Sequence, residues 1–206
     1  GGITAAGLHA DDTRVDVVAS PPTDLIGLRA DRVRIRATDA TFGGLAIGAL
    51  DVMLDEVVLA ARTAATVDGR LSGVEVPDVG GAPLRLELVR LAGGGEAVTA
   101  TTTIARAAAE RLLADAIGRS TGIRPSAVSL VSPDRIVVVR GRGGAGGRFS
   151  VTGAGDLVIR VTAGPGSGGE IPVLRGGIDV PWRLTGVSVD STGVQLLGVL
   201  TVGLLG

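Results

Sequence analysis

The stretch TTIARAAAERLLADAIGRSTG, residues 102–122, decides the fold class, because it is the one segment whose pattern clearly predicts a helix. A threonine at its start can cap the first turn, and alanine and leucine have high helix propensity. Gly118 or Gly122 can end the helix. One broad apolar arc of the helical wheel is formed by Ala105, Ala108, Ala109, Leu112, Leu113 and Ala116. We therefore predict one amphipathic helix, whose mostly small inner face a sheet can approach closely.

Strands are predicted on both sides of this helix. In DRVRIRAT, residues 31–38, aliphatic residues alternate with arginines, so one face of the strand is expected to be buried and the other solvated. Further strands are predicted over residues 14–20, 45–60, 63–76, 84–91, 127–131, 135–140, 148–152, 157–162, 180–189 and 194–204, with turns at 68–69 and 190–193. This order predicts an α+β fold with a long antiparallel sheet and one main helix, and residues 1–206 are expected to form a single domain.

The composition excludes several classes of protein. The chain has 206 residues, 45% of them hydrophobic, so it can bury a sizeable core without a metal or a disulfide. It has no cysteine, which excludes thiolate catalysis and cysteine-ligated metal sites. A net charge of −1 and only three aromatic residues argue against nucleic-acid binding. No stretch reaches the roughly 18 apolar residues of a transmembrane helix, so the closing run VQLLGVLTVGLL, residues 194–205, is interpreted as a strand.

The first residues of the chain carry its only histidine. His9 lies close to Asp11 and Asp12, which could suggest a metal site. Without a second histidine or any cysteine, a solvated segment is the better interpretation. Residues 1–12 are therefore expected to be disordered or to be the remnant of a removed N-terminal anchor.

Two motifs match catalytic or nucleotide-binding patterns but lack the context that these patterns need. Residues 118–122 match the G-x-S-x-G nucleophile elbow, with Ser120 as the serine, yet a helix precedes this serine where the elbow needs a strand. Residues 141–146 and 164–169 match G-x-G-x-x-G, but no helix is predicted to open at either third glycine. We expect a helix C-cap and two hairpin loops, no enzyme and no cofactor.

Two surface features could contact a membrane. Arg32, Arg34 and Arg36 lie on one face of their strand and could meet anionic lipid headgroups, or they could form a solvated face whose charge is softened by neighbouring aspartates. Trp182 could be an interfacial anchor, a pocket lid or a packing residue.

The order of elements is similar to that of a known family. Residues 15–59 run from a strand through a Leu-Ile-Gly segment at 25–27, an alternating charged strand and a Gly-Leu turn at 44–45 to a long apolar strand. Residues 96–115, EAVTATTTIARAAAERLLAD, form a strand that runs into the helix. In this patterning, over most of its length, the chain resembles the bacterial LmeA-like phospholipid-binding proteins. It differs in its long glycine-rich loops and in lacking the N-terminal signal or anchor that members commonly carry.

The resemblance implies a fold like that of the tubular lipid-binding proteins, in which a long curved antiparallel sheet wraps around one helix. It implies non-enzymatic binding of a phospholipid or other acyl lipid, peripheral membrane contact, and a place in the extracytoplasmic envelope of a bacterium, periplasmic or membrane-anchored. Patterning suggests that the acyl chains lie against Ala109, Leu112, Leu113, Ala116, Leu196, Val199 and Leu200.

Two other functions stay open at this point. The chain could be a structural or adaptor domain with a dry core, which binds a protein partner through a sheet edge. A serine hydrolase that uses Ser120 is the third and weakest alternative.

Overall fold

The computed structural model describes residues 8–42, 45–61, 63–76, 84–95, 97–141, 143–176 and 182–201. The chain divides into two compact units. The strand unit comprises residues 1–75, 86–100 and 199–206, and the helix unit comprises residues 76–85 and 101–198.

Most of the described residues lie in strands, and one described segment is an α-helix. The elements are β1 (Leu8–Val18), a 3₁₀ turn (Pro22–Leu25), β2 (Arg29–Phe42), β3 (Leu45–Val58), β4 (Thr63–Val76), β5 (Leu84–Gly94), β6 (Ala97–Ala105), α1 (Arg106–Thr121), β7 (Ala127–Val131), β8 (Arg135–Arg140), β9 (Gly143–Val151), β10 (Leu157–Ala163), β11 (Glu170–Leu174), β12 (Arg183–Val189) and β13 (Gly193–Thr201). Each boundary between the two units falls inside a strand, so no linker in the sequence marks the division.

The strands form two sheets. Eight strands follow the order β1-β2-β3-β4-β5-β6-β13-β12, and five follow the order β11-β10-β9-β8-β7. Consecutive strands from β1 to β4 and from β7 to β11 pair antiparallel. The α+β class, with antiparallel strands and one main helix, is therefore confirmed. The wrapping of a curved sheet around that helix stays a prediction.

In the strand unit, the hairpins bury a small aliphatic core. Val33 lies opposite Leu54, and Leu54 lies opposite Val67 on the next strand. Directly opposite residues of antiparallel strands share a face, so this register collects aliphatic side chains on one side of the sheet. The buried members of this core are Ala30, Val33, Val57 and Ala64, and Val15, Ile35, Leu54 and Val67 pack against them.

In the helix unit, α1 packs against β7 and β11 of the five-stranded sheet. Its inward face is the predicted one, because Ala109, Leu112, Leu113 and Ala116 are all buried together with Ile117. Full burial of an aliphatic side chain contributes about 1.5–3 kcal/mol. This face therefore fixes the helix on the sheet.

The helix begins later than predicted and ends as predicted. Residues 102–105 belong to β6, where Thr102 and Ile104 are buried, so no threonine caps the helix and its N-cap is Ala105. Strand pairing and burial outweigh helix propensity at this point. At the other end, Gly122 has a φ of 70°, the left-handed conformation that closes many helices.

Several strand predictions were wrong at positions where glycine hides the pattern. β9 begins at Gly143 instead of residue 148, so the first glycine-rich match is largely strand, and β11 was not predicted. Asp68 and Gly69 form no turn, because both pair with β3 inside a continuous β4. β1 begins at Leu8 instead of residue 14, so residues 8–12 belong to a strand, whereas residues 1–7 lie outside the described residues. The predicted positions 180–181 and 202–204 also lie outside them.

Candidate functional site

A cleft of about 40 Å³ lies in the helix unit, between the last turn of α1 and the five-stranded sheet. Its helical wall is Ile117 and Thr121. Thr121 and Pro165 are the exposed lining residues, so they mark its mouth. The sheet contributes Ile136, Val138, Arg140, Ala145, Gly146, Gly147, Ile159, Val161 and Ile171, and Pro165 comes from the following turn.

The cleft exists because small residues of β9 face large residues of β8. Ile136 lies opposite Gly147, Val138 opposite Ala145, and Arg140 opposite Gly143. At two of these positions β9 has no side chain, and its residues that line the cleft are Ala145, Gly146 and Gly147. The position of Gly147 itself is closely packed, because a Cβ there would lie 2.7 Å from Ile159 Cγ2.

Arg140 is the charged residue of this otherwise mainly aliphatic lining. Its Nη2 atom is buried, and it has no hydrogen-bond partner among the described residues. A buried charged donor left without an acceptor costs free energy, typically about 1–3 kcal/mol or more. The cleft therefore has one site at which an anionic or polar acceptor is favoured.

The mouth of the cleft is built by the end of α1. The Thr121 hydroxyl donates to the Ile117 carbonyl at 2.8 Å, which places this side chain back along the helix. Ile123 follows after Gly122, its N–H donates to Thr121 Oγ1 at 3.4 Å, and the residue is 60% exposed. One exposed aliphatic side chain therefore lies close to the mouth in the sequence.

The residues predicted to bind acyl chains are placed differently from this cleft. Ala109, Leu112, Leu113 and Ala116 face the closed core next to it, and Leu196 is 1% exposed. Val199 and Leu200 are half-buried and belong to the strand unit, whereas the helix belongs to the helix unit. On the helix, the cleft is lined by Ile117 and Thr121 and not by the four predicted residues.

The three arginines predicted to face lipid headgroups lie on the outer face of β2, and each is paired with an aspartate. The pairs are Arg32–Asp55 at 2.7 Å, Arg34–Asp51 at 2.6 Å and Arg36–Asp16 at 2.5 Å. The hydrogen bond from each arginine is the main reason why the pKa of its partner carboxyl lies below the ordinary value of 3.8. The positive charge of this face is therefore largely neutralised.

Trp182 does not lie at a surface. It is 2% exposed, and a Cβ on Gly198 would come within 2.4 Å of its Cδ1 atom, so glycine is needed for the ring to pack against β13. Of the alternatives for Trp182, packing agrees with this burial, while contact with a membrane surface does not.

The G-x-S-x-G and G-x-G-x-x-G matches lie in local structures that differ from those of a nucleophile elbow or a dinucleotide-binding loop. Ser120 lies in the last turn of α1, with helix before it and no helix directly after it. Neither glycine-rich match opens a helix, since β9 follows the first turn and β11 the second. Among the described residues, no three histidine or carboxylate side chains converge on a possible metal position, and no helix could cross a membrane.

The sequence did contain one signal of the cleft. In RIVVVR, residues 135–140, Arg140 is in phase with Ile136 and Val138, which are buried, and out of phase with the exposed Val137. An arginine on the inward face of a strand is unusual and marks a candidate site.

Comparisons with protein-family models, with curated proteins and with solved structures found no match to this chain.

Proposed function

We propose that the protein binds an acyl lipid without catalysing a reaction, with the anionic head of the lipid at Arg140. The observation that supports this most directly is a mainly aliphatic cleft that Arg140 lines, together with the buried Nη2 atom of this arginine, which has no hydrogen-bond partner among the described residues. The resemblance to envelope phospholipid-binding proteins, drawn from patterning, favours the same ligand class and a role in lipid transport or maintenance at a bacterial cell envelope.

The charge of the cleft selects the head of the ligand. A guanidinium presents donors in a planar fork that matches a carboxylate or a phosphate. An oxygen of such a group would give Arg140 Nη2 the acceptor it lacks. The ion pair would form beside apolar walls, where water competes weakly and the interaction is stronger than at an open surface.

The size of the cleft limits what enters it. About 40 Å³ is well below the roughly 300–1,000 Å³ of typical ligand pockets. It has room only for a small terminal group such as a carboxylate, so the rest of the ligand would leave through the mouth beside Thr121 and lie near Ile123. Each methylene buried there would contribute about 0.8 kcal/mol.

Native mass spectrometry of the purified protein, followed by lipid extraction, tests the proposal. We expect one acyl lipid per chain, either co-purified or taken up from dodecanoate or phosphatidylglycerol. Identification of the extracted lipid shows whether the anionic head group belongs to a fatty acid or to a phospholipid.

Two variants locate the site. Arg140→Leu removes the inward arginine and should abolish the mass increment, whereas Arg135→Leu removes an exposed arginine of the same strand and should leave it unchanged. A wild-type protein that stays free of lipid after incubation with both probes would contradict the proposal.

The burial of the predicted helix face favours a second candidate, an adaptor domain with a dry core. Leu113 and Leu196 are each 1% exposed, so no acyl chain reaches them without parting the core. The edge strand β1 then offers a protein partner its unpaired backbone groups. A lipid-free mass combined with capture of a strand-forming peptide along β1 would support this function in place of lipid binding.

A further inference from the structure

One end of the strand unit carries a concentrated set of exposed aliphatic side chains. The structure shows eleven large hydrophobic residues exposed among those it describes, and six of them lie at this end. Single exposed aliphatics are ordinary, but several of them at one end of the hairpins indicate a candidate interaction surface. We call this surface the apolar tip: Val17, Val18, Leu25, Ile26, Leu28 and Leu59, of which Ile26 is the most exposed at 86%.

The local backbone holds the apolar tip outward. The 3₁₀ turn is closed by hydrogen bonds from Asp24 N–H to Pro21 O at 3.0 Å and from Ile26 N–H to Thr23 O at 3.0 Å. Leu28 follows with a φ of 55°, a conformation that a branched side chain rarely adopts.

Two neighbouring connections contribute to this tip. The Leu59 N–H donates to the Leu28 carbonyl at 2.8 Å, which joins the β3–β4 connection to the β1–β2 connection. The hydrogen bond brings exposed leucines from both connections together at the same end of the hairpins.

The chemistry of the tip fits a lipid bilayer better than a protein. Its side chains are all aliphatic, whereas protein interfaces are centred on tryptophan, tyrosine and arginine. Four of its six residues come from two chain connections at the end of the hairpins, and the other two are the last residues of β1.

The charges around the tip are close to balance. Asp24 and Arg29 lie beside it, Asp31 accepts from Ser20 N–H at 2.8 Å, and Arg32 is paired with Asp55. Among the described residues, charges of both signs therefore lie beside the exposed aliphatic side chains.

We propose that the apolar tip inserts into the surface of a lipid bilayer and docks the protein there. This inference rests on the proposed function in one respect, because a carrier of acyl lipid must meet a membrane to load or unload. The tip lies in the strand unit and the cleft in the helix unit, so each can be disabled by its own substitutions.

Flotation with lipid vesicles tests the tip. The probes are vesicles of phosphatidylcholine alone and of phosphatidylcholine with phosphatidylglycerol. We expect the wild type to bind both, and the double variant Leu25→Ser, Ile26→Ser to bind both at least about tenfold more weakly, since two exposed aliphatics no longer enter the acyl region. The matched control Val137→Ser, Val139→Ser removes two exposed valines of β8 and should bind as the wild type does.

Three results would contradict membrane docking by the tip. The first is that the wild type binds neither kind of vesicle, and the second is that the wild type and the tip variant bind equally. The third is that the wild type binds only the anionic vesicles and the tip variant still binds them. Uptake of monomeric dodecanoate by each variant, with circular dichroism, shows that the variants are folded. A tip variant that takes up dodecanoate but does not float supports the inference. A wild type that floats with the vesicles but takes up no lipid would support membrane docking by the tip and would contradict lipid binding in the cleft.

Discussion

Strands β2 and β8 both carry arginines among aliphatic residues, but Arg140 of β8 has different surroundings from the arginines in the middle of β2. Arg32, Arg34 and Arg36 of β2 face outward, and each meets an aspartate of β1 or β3. On β8 Arg140 is in phase with the buried Ile136 and Val138, and the residue opposite it is Gly143. The neighbouring strand thus supplies an acceptor in one case and an empty space in the other.

This difference teaches that the partner strand decides what an arginine can do. The Nη2 atom of Arg36 binds Asp16, although its Nε stays without a partner, so much of the outer charge is satisfied within the fold. Arg140 Nη2 has no such group among the described residues, and Arg140 lines the cleft together with Gly146 and Gly147 of β9. We therefore assign a structural role to the arginines of β2 and a binding role to Arg140.

The largest effect is expected from breaking the inward face of β8. Ile136 is 2% exposed and lines the cleft, so Ile136→Ala should lower the free energy of unfolding by about 2–5 kcal/mol. Val137→Ala, on the outward face of the same strand, should change it by less than about 1 kcal/mol. Urea unfolding measures both, and equal losses would mean that the alternation of β8, and with it the inward position of Arg140, is wrong.

An aspartate placed opposite Arg140, like the aspartates that pair with the arginines of β2, should weaken ligand binding at Arg140. An aspartate at Gly143 would lie directly opposite Arg140 on the same face, and a Cβ there meets nothing closer than 3.7 Å. Gly143→Asp should therefore weaken dodecanoate binding by at least about tenfold, because the new carboxylate competes with the ligand for the guanidinium.

Gly144→Asp is the matched control for this charge. Gly144 lies opposite Val139, an outward residue, so its aspartate points away from the cleft. The dissociation constant of dodecanoate from the Gly144→Asp variant, measured by fluorescence displacement, should equal that from the wild type. Equal weakening by both variants would show that net charge, not contact with Arg140, controls binding.

Stability should respond in opposite directions to the loss of the two kinds of arginine. Arg140→Leu removes a buried donor without a partner and should leave the free energy of unfolding unchanged or raise it by about 1 kcal/mol. Arg34→Leu breaks the two-point hydrogen bond to Asp51 and should lower the thermal midpoint slightly. A clear loss of stability in Arg140→Leu would indicate that its guanidinium is satisfied within the folded protein.

The smallest expected effect is on the stability of the protein at acidic pH. Because its pKa is lowered in the folded protein, Asp51 contributes stability that is complete above its ordinary pKa of 3.8 and is lost as the pH falls through the lowered folded value. Thermal midpoints of the wild type should therefore fall slightly more steeply below pH 4 than those of Asp51→Asn. Parallel curves for the two proteins would show that the pair contributes nothing to the pH dependence.

The sequence predicts an element well where its side chains alternate or follow a helical period, and poorly where glycine leaves no such pattern. The bounds of β4, β7 and β8 were predicted because aliphatic residues alternate there, and the buried face of α1 because its apolar arc is continuous. The start of β9 was missed because glycine shows no alternation. The cleft was missed because it depends on the register that places Gly143 and Gly147 opposite β8, and this register follows from pairing rather than composition.

Isothermal titration of monomeric dodecanoate into the wild type, Arg140→Leu and Arg135→Leu tests the central claim most directly. We expect the wild type and Arg135→Leu to bind one dodecanoate with the same dissociation constant, and Arg140→Leu to bind it at least about tenfold more weakly, because one charge-assisted hydrogen bond is lost. The same dissociation constant for all three proteins, or no binding by the wild type, would contradict the assignment of the cleft as a site for acyl lipids.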